Sequence, residues 1–266
     1  MKDTERICTI TIEGEQMEVP FNTPVIEVFN KHYGENREHI ASLLNNRLYG
    51  LTTPIRADYE IKPITRHDRM GQTVYRRSAS FILREAVRRL YPGTRLVIGQ
   101  SIQDGYFFNL ENHPEGVTKH MIEALQKEMR AIVEQDLPFK VESHFVDEVK
   151  RSFIKSGELA KANLLRIHWW AQVRLIHLGG TEDLFHDPYV PSTGYCDLFE
   201  LAPYWPGMVL RFPARHKATI PGKISQLPTL FNTYMESRQW NQMLGVENLG
   251  QLNGAVFNGD IDHIIK

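Results

Sequence analysis

The chain has few cysteines, no excess of charge of either sign and no long apolar run. Its 266 residues include two cysteines, Cys8 and Cys196, which argues against a disulfide scaffold or a cysteine-rich zinc site. With 31 basic and 32 acidic residues, any nucleic-acid-binding surface must be a local patch. Neither a signal-peptide core nor a run of ~18 apolar residues is present. We therefore expect a cytoplasmic protein with no membrane partner.

A phosphate-binding loop is also missing from the sequence. A Walker A motif needs Gly-x-x-x-x-Gly-Lys-Ser/Thr, because its backbone amides hold phosphates that the lysine also reaches. The one Gly-Lys pair, Gly222-Lys223, is followed by Ile224 and has Lys217 where the first glycine belongs. The chain therefore supplies no P-loop kinase site of its own.

Residues 1–64 have the pattern of a small α+β domain. Two alternating runs flank Gly14 within residues 7–19 and predict a hairpin. A helix is predicted from Pro24 to His32 with Thr23 as its cap, and short strands at 40–43, 47–49 and 59–64. This order is that of a β-grasp, and the segment resembles a TGS domain, the ubiquitin-like module found on threonyl-tRNA synthetases.

The following residues predict a second, larger domain. Residues 65–74 are polar and contain a glycine, which predicts a linker. Helices are then predicted over 78–90, about 119–135 and 145–157. The expected fold is α+β, with a TGS domain at 1–64, a second domain at 75–215 that has helices on an antiparallel sheet, and a tail at 216–266.

One segment of this second domain resembles a known family. Residues 183–194 have the sequence Asp-Leu-Phe-His-Asp-Pro-Tyr-Val-Pro-Ser-Thr-Gly. They resemble Asp-Leu-Cys-Arg-Gly-Pro-His-Val-Pro-Ser-Thr-Gly of the editing domain of threonyl-tRNA synthetases. Residues 98–108 and the helix over 78–90 also resemble segments of that domain. The resemblance implies a threonyl/alanyl-tRNA synthetase editing-like α+β domain.

The editing site itself is altered at every position. In the family, a His-x-x-x-His helix, a Cys and a further His form a metal-ligand-like cluster; the corresponding positions here are Arg77, Phe81, Phe185 and Tyr189. Guanidinium, phenyl and phenol groups cannot replace imidazole and thiolate as zinc ligands or bases. Ser78 and Ser192 have no partnered base at motif spacing. We therefore predict a degenerate editing site with no metal and no catalytic residue.

Two hypotheses remain open for the arginines of the same helix, Arg76, Arg77, Arg84 and Arg88. Arg77, Arg84 and Arg88 share one helical face opposite the apolar stripe, which is typical of a solvated charged face partly paired through Glu85. Alternatively, a cleft that exchanged histidine for arginine would bind an anion, either a nucleotide or an RNA backbone. Phe81, Phe185 or Tyr189 would then stack on bases.

We expect structural roles for most of the remaining histidine, tryptophan and basic residues that stand out in the sequence. The nine-residue spacing of His168, His177 and His186 does not place them on one face, so they are not expected to bind a metal. The Trp169-Trp170 pair is expected to lie in the core rather than to form a stacking platform. Arg211, Arg215, His216 and Lys217 form a small basic cluster that could face a further domain.

A second resemblance covers nearly the whole chain. Five separated motifs, among them Tyr75-Arg76-Arg77-Ser78 and Pro203-Tyr204-Trp205-Pro206-Gly207-Met208, resemble the N-terminal half of bacterial uridine kinase-like nucleoside kinases. The resemblance implies a non-catalytic regulatory or ligand-binding region, with a kinase domain that would follow Lys266 as its partner. ATP and magnesium are expected only for that domain, and no cofactor is expected for this chain. The alternatives are a stand-alone RNA- or tRNA-binding module derived from threonyl-tRNA synthetase and a divergent aminoacyl-tRNA editing hydrolase.

Overall fold

A computed structural model describes residues 6–113, 116–215, 217, 219–224 and 228–260. Within them the elements are, in chain order, β1 (Ile7–Ile12), β2 (Glu15–Pro20), α1 (Val25–Tyr33), β3 (His39–Leu44), β4 (Arg47–Tyr49), β5 (Tyr59–Thr65), α2 (Arg69–Leu90), β6 (Arg95–Ile102), β7 (Gly105–Glu111), α3 (Lys119–Glu134), β8 (Lys140–Phe145), α4 (Val146–Lys155), α5 (Leu159–Leu164), β9 (Gln172–Leu178), β10 (Thr181–Leu184), β11 (Glu200–Tyr204), β12 (Gly207–Arg211), α6 (Pro228–Met243) and α7 (Leu249–Asn258). In these residues no helix is long and apolar enough to cross a membrane.

The described residues divide into two compact units. The first contains those up to Lys140, His177–Glu182 and His186–Ile224. The second contains Val141–Ile176, Asp183–Phe185 and the described residues after position 224. The predicted domain borders differ from this division, because the β-grasp residues and most of the second predicted domain share the first unit.

The β-grasp prediction is confirmed by the sheet topology. The five strands lie in the order β2-β1-β5-β3-β4, with β1 and β5 parallel and the remaining pairs antiparallel. Helix α1 contributes Val25, Val28 and Phe29 to the core against the strands. The prediction that Thr23 caps this helix is wrong, because its hydroxyl donates to the Pro20 carbonyl instead, at 2.7 Å.

The predicted linker at 65–74 is also wrong, because strand and helix occupy most of it. Strand β5 ends at Thr65 and α2 begins at Arg69. The Thr65 amide and hydroxyl both donate to the Asp68 carboxylate, at 2.7 and 2.9 Å. Gly71 lies so close to the Thr65 carbonyl that a Cβ would fall 1.8 Å from that oxygen. Helix α2 therefore continues almost directly from the β-grasp sheet.

Helix α2 is the central element of the first unit. It packs on β3 and β5 and on helix α3. An antiparallel sheet of order β11-β12-β7-β6 belongs to the same unit and buries the rings of Phe107, Phe108 and Tyr204. Because α2 is covered on several sides, it is buried at positions well beyond a single apolar stripe.

The second unit has a smaller core of its own. Val149 and Phe153 of α4 pack with Ala162 and Leu165, and a three-stranded sheet of order β10-β9-β8 contributes Leu175. Helix α7 approaches α5 so closely that a Cβ on Gly250 would lie 2.0 Å from the Ala160 carbonyl oxygen. The predicted tail thus contains two helices, α6 and α7.

Candidate functional site

Three of the four substituted positions lie together in the first unit. Arg77 and Phe81 follow each other by one turn along α2, and Tyr189 lies in the segment after β10. The ring centroids of Phe81 and Tyr189 are 5.6 Å apart in an edge-to-face arrangement, and the Arg77 Cζ lies 5.9 Å from the Tyr189 centroid. Three of the four predicted positions are therefore neighbours, whereas the fourth, Phe185, belongs to the second unit.

A third ring completes an aromatic cluster made of Phe81, Phe139 and Tyr189. Phe139 stacks on Tyr189 at 5.4 Å and lies 6.2 Å from Phe81. Phe81 is 5% exposed and Phe139 is equally buried. Ring contacts of this geometry stabilise the fold in addition to the stabilisation that comes from burying the apolar area of the rings. The space between α2 and the 188–192 segment is therefore filled by side chains of the chain itself.

The guanidinium of Arg77 is held by backbone and carboxylate oxygens. Its Nη1 donates to the Pro188 carbonyl at 2.8 Å, and its Nη2 donates to Asp187 Oδ2 at 3.0 Å. Charge-assisted bonds of this kind fix the orientation of the planar guanidinium. Arg77 thus ties the loop to α2 at the point where the family has a histidine.

Phe185 belongs to the second unit. The Arg174 guanidinium lies 4.6 Å from its ring centroid, and the Phe185 amide donates to the Arg174 carbonyl at 2.9 Å. Phe185 is half-buried in this environment. It therefore has a cation–π partner of its own.

The remaining candidate arginines of α2 are also engaged within the chain. The Arg76 guanidinium lies 5.3 Å from Phe212 and 5.8 Å from Tyr106, and Arg84 lies 5.9 Å from Phe81. Arg88 donates two hydrogen bonds to Glu85, at 2.8 and 2.9 Å. Arg88 is half exposed and pairs with Glu85, as the charged-face hypothesis expects, whereas the anion-binding hypothesis would need such contacts to be exchanged for those of a ligand.

Glu85 is the acceptor around which this end of α2 is built. It is fully buried and accepts hydrogen bonds from Arg88, from Arg89 at 2.8 Å and from the Thr181 hydroxyl at 2.7 Å. A Cβ on Gly179 would fall 2.4 Å from Glu85 Oε1, so the β9–β10 turn fits the carboxylate only with glycine. Burial alone would raise the pKa of Glu85, but these donors outweigh it and lower the pKa to about 2.

The frame residues of the 188–194 segment have structural roles. The Val190 amide donates to the buried Ser78 hydroxyl at 3.0 Å. The Thr193 hydroxyl donates to the Ile132 carbonyl at 2.8 Å and accepts from the Leu137 amide at 2.9 Å. These bonds join the segment to α2 and to the end of α3. The residues that this segment shares with the family therefore make structural hydrogen bonds, and these bonds account for their presence without a catalytic role.

Asp136 completes this frame and joins it to the β-grasp domain. Its carboxylate accepts from the Ser192 hydroxyl, the Gly194 amide and Arg37, the last at 2.6 Å. Arg37 also donates to the Gly194 carbonyl at 3.0 Å. A Cβ on Gly194 would fall 2.2 Å from Arg37 Nη1, so glycine is required for this approach.

Two further predictions concern aromatic and basic residues outside this site. The prediction that Trp169 and Trp170 are core residues is wrong, because their side chains are 93% and 71% exposed. The predicted basic cluster is only partly testable: buried Arg211 pairs with Asp104 and Glu200, whereas His216 lies outside the described residues.

The three histidines predicted not to form a metal site have separate surroundings. His168 contacts the Trp170 carbonyl through Nδ1 at 3.3 Å, and His177 lies 3.9 Å from Glu182. His186 is exposed. Nothing in these contacts tests whether the three histidines bind a metal, so their structural role stays a prediction.

Phe139 and Asp136 are residues of structural importance that the sequence patterns did not identify, and Glu85 is expected from the sequence only as a partner of the arginines. Glu85 had a weak signal, since an acidic residue three and four positions before two arginines on one helix favours ion pairs. Phe139 and Asp136 lie far in sequence from α2, and no spacing pattern links them to it.

The sequence was compared with known proteins. It is 32% identical over 201 residues to the threonine–tRNA ligase of Desulforamulus reducens and 31% identical over 200 residues to that of Carboxydothermus hydrogenoformans, in both cases over 73% of this chain. It is 25% identical over 205 residues to that of Aquifex aeolicus. All three of these relatives are threonine–tRNA ligases. No protein-family model matches the chain.

The match covers a limited part of each relative. The chain spans about a third of their length, 32%, 31% and 32% for the three named proteins. Together with the sheet topology, the similarity identifies a β-grasp TGS domain followed by a synthetase editing-like α+β domain. The named relatives give no support to the nucleoside-kinase hypothesis.

Proposed function

We propose that this chain is a non-catalytic RNA-binding module, related to threonine–tRNA ligases, whose ligand is a tRNA or a tRNA-like RNA. The observation that carries the proposal is the similarity over some 200 residues to enzymes that, by name, act on tRNA. The site itself supplies the second part of the proposal. Aromatic rings and a paired arginine occupy the positions at which the family has imidazoles and a thiolate.

This filled site argues against the editing-hydrolase alternative. Hydrolysis of an aminoacyl ester requires a base or a metal-bound water within reach of the ester carbonyl. Phe81 has neither function, and the Arg77 guanidinium has hydrogen-bond donors but no acceptor. The geometry therefore favours binding without turnover.

Equilibrium binding to tRNA tests the proposal. The chain and labelled threonine-specific tRNA are titrated by filter binding at several salt concentrations, with a DNA duplex of equal length as control. We expect saturable binding that weakens linearly on a log–log plot against salt, because phosphate contacts release counterions. Absence of tRNA binding at low salt would overturn the proposal.

A deacylation assay tests the non-catalytic part separately. Seryl-tRNA is incubated with the chain at concentrations above those that give saturation in the binding titration. We expect ester loss at the spontaneous rate. Faster release of serine would show that the chain has retained or replaced the editing chemistry, and would reject the absence of catalysis while leaving RNA binding intact.

A further inference from the structure

Two adjacent tryptophans of the second unit project into solvent. Trp169 is 93% exposed and Trp170 is 71% exposed. Tryptophan is highly buried on average, since its ring is the largest apolar surface among the side chains. Two such rings side by side at the surface indicate that a partner covers them.

The backbone holds this pair in a defined loop between α5 and β9. The His168 amide donates to the Leu165 carbonyl at 3.2 Å, and the His168 ring contacts the Trp170 carbonyl. The next carbonyl, that of Ala171, accepts from the Val146 amide at 3.1 Å. Hydrogen bonds therefore fix the chain on both sides of the tryptophans, and the rings have a rigid base.

The charged residues near the pair in the sequence are basic. From residue 159 to 181 the chain has no acidic residue, although acidic residues slightly outnumber basic ones in the whole sequence. Arg166 and Arg174 lie in that stretch and are exposed, whereas Lys161 is paired with Glu158 and Asp183. Each guanidinium lies 4.6 Å from an aromatic centroid, that of Phe257 for Arg166 and that of Phe185 for Arg174. Stacking of this kind orients an arginine and leaves its charge available.

We propose that Trp169 and Trp170 form a stacking platform for unpaired bases of RNA, with Arg166 and Arg174 contacting the adjacent phosphates. Proteins that bind single-stranded nucleic acid stack its bases on aromatic rings. Basic side chains beside those rings bind the phosphate backbone. An apolar protein partner is less well matched to a stretch that is basic and free of carboxylates. This inference rests on the proposed RNA-binding function and names the part of the RNA, its unpaired nucleotides, that the second unit contacts.

The test compares tryptophan variants of the full chain. Trp169→Ala, Trp170→Ala and the double variant are titrated with the same tRNA and with a short single-stranded RNA. Trp205→Ala and Trp240→Ala are matched controls, because these rings are 78% and 65% exposed but lie outside the acid-free stretch. We expect at least a tenfold weaker affinity for the double variant on both RNAs, in line with the cost of removing stacked aromatics. We expect less than a twofold change for the controls.

Fluorescence gives a second readout. Quenching of tryptophan emission by the single-stranded RNA, excited at a wavelength that tyrosine does not absorb, should persist in the Trp205→Ala/Trp240→Ala variant, whose remaining tryptophans are Trp169 and Trp170. Urea unfolding of each variant confirms that the fold is retained. Arg166→Glu with Arg174→Glu should weaken binding and reduce its salt dependence.

The outcomes separate the two proposals. Where the parent binds tRNA and the double tryptophan variant binds equally well, the platform is rejected and the proposed function stands. Where the parent binds no RNA, both are rejected. In a third outcome, the parent sediments as a dimer, and the double variant sediments as a monomer with unchanged RNA affinity. This result would assign the tryptophans to a contact between two copies and would overturn the platform.

Discussion

The two units each contain an aromatic cluster flanked by arginines, and the two clusters differ in accessibility. In the first unit, Phe81 packs against Phe139 and Tyr189, and Arg77 is paired with Asp187. In the second, Trp169 and Trp170 project into solvent. The same two residue classes thus stabilise a fold in one place and present a surface in the other. Contacts, and not composition, decide which role an aromatic–arginine pair has.

The largest expected effect comes from removing the buried carboxylate of helix α2 in the same unit. Glu85→Ala leaves Arg88 and Arg89 without their shared acceptor and should lower the free energy of unfolding by about 3–5 kcal/mol. Urea denaturation followed by circular dichroism measures it. Glu123→Ala is the matched control, because Glu123 pairs with Lys119 on an exposed helix face, where the loss should be below about 0.5 kcal/mol. Equal losses for the two variants would mean that the hydrogen bonds of Glu85 add nothing to the stability of the fold.

Acid should weaken the same support. Because the pKa of Glu85 is lowered in the folded state to about 2, its contribution is fully present above its ordinary value of 4.5. It is lost as the pH falls through about 2, and at one pKa unit per 1.36 kcal/mol it amounts to about 3 kcal/mol. The stability difference between the parent and Glu85→Gln, measured by urea denaturation, should therefore narrow from pH 6 to pH 2. A difference independent of pH would contradict this assignment.

The closed cluster itself should be sensitive to truncation. Phe81→Ala removes a buried ring and leaves a cavity beside Phe139 and Tyr189, which should cost about 3 kcal/mol. Phe145→Ala is the control, since Phe145 is more than half exposed in the second unit. We expect its cost to be below about 1 kcal/mol. Thermal unfolding measures both variants, and a small loss for Phe81→Ala would mean that the site is open to solvent.

The smallest effect on stability should come from the exposed cluster. Trp169→Ala and Trp170→Ala remove rings that bury little surface, so each should change the free energy of unfolding by less than about 0.5 kcal/mol. The comparison is sharpest when the same variants lose RNA affinity at unchanged stability. A large destabilisation by either variant would place its ring in the core and abolish the contrast between the two units.

Periodicity and turn residues were sufficient to predict the β-grasp domain and most helices. The order of the strands in the sheet, β2-β1-β5-β3-β4, was not predicted from these patterns and comes from the structure. Accessibility was predicted less well. Trp169 is expected in the core but is exposed, and Arg77 and Tyr189, which one hypothesis places at an open cleft, are half-buried. Burial of a side chain depends on partners distant in sequence, such as Phe139 and Asp187, which no local pattern identifies.

The junction between β5 and α2 determines how the first unit can move. Only residues 66–68 separate strand from helix, and the Asp68 carboxylate closes the turn on Thr65. At the other side, Arg37 joins the β-grasp domain to Asp136. A joint that is short and fastened at two points resists torsion. A molecule bound by the β-grasp sheet would therefore have one fixed orientation relative to the remainder of this unit, because the connection is rigid and not a flexible linker.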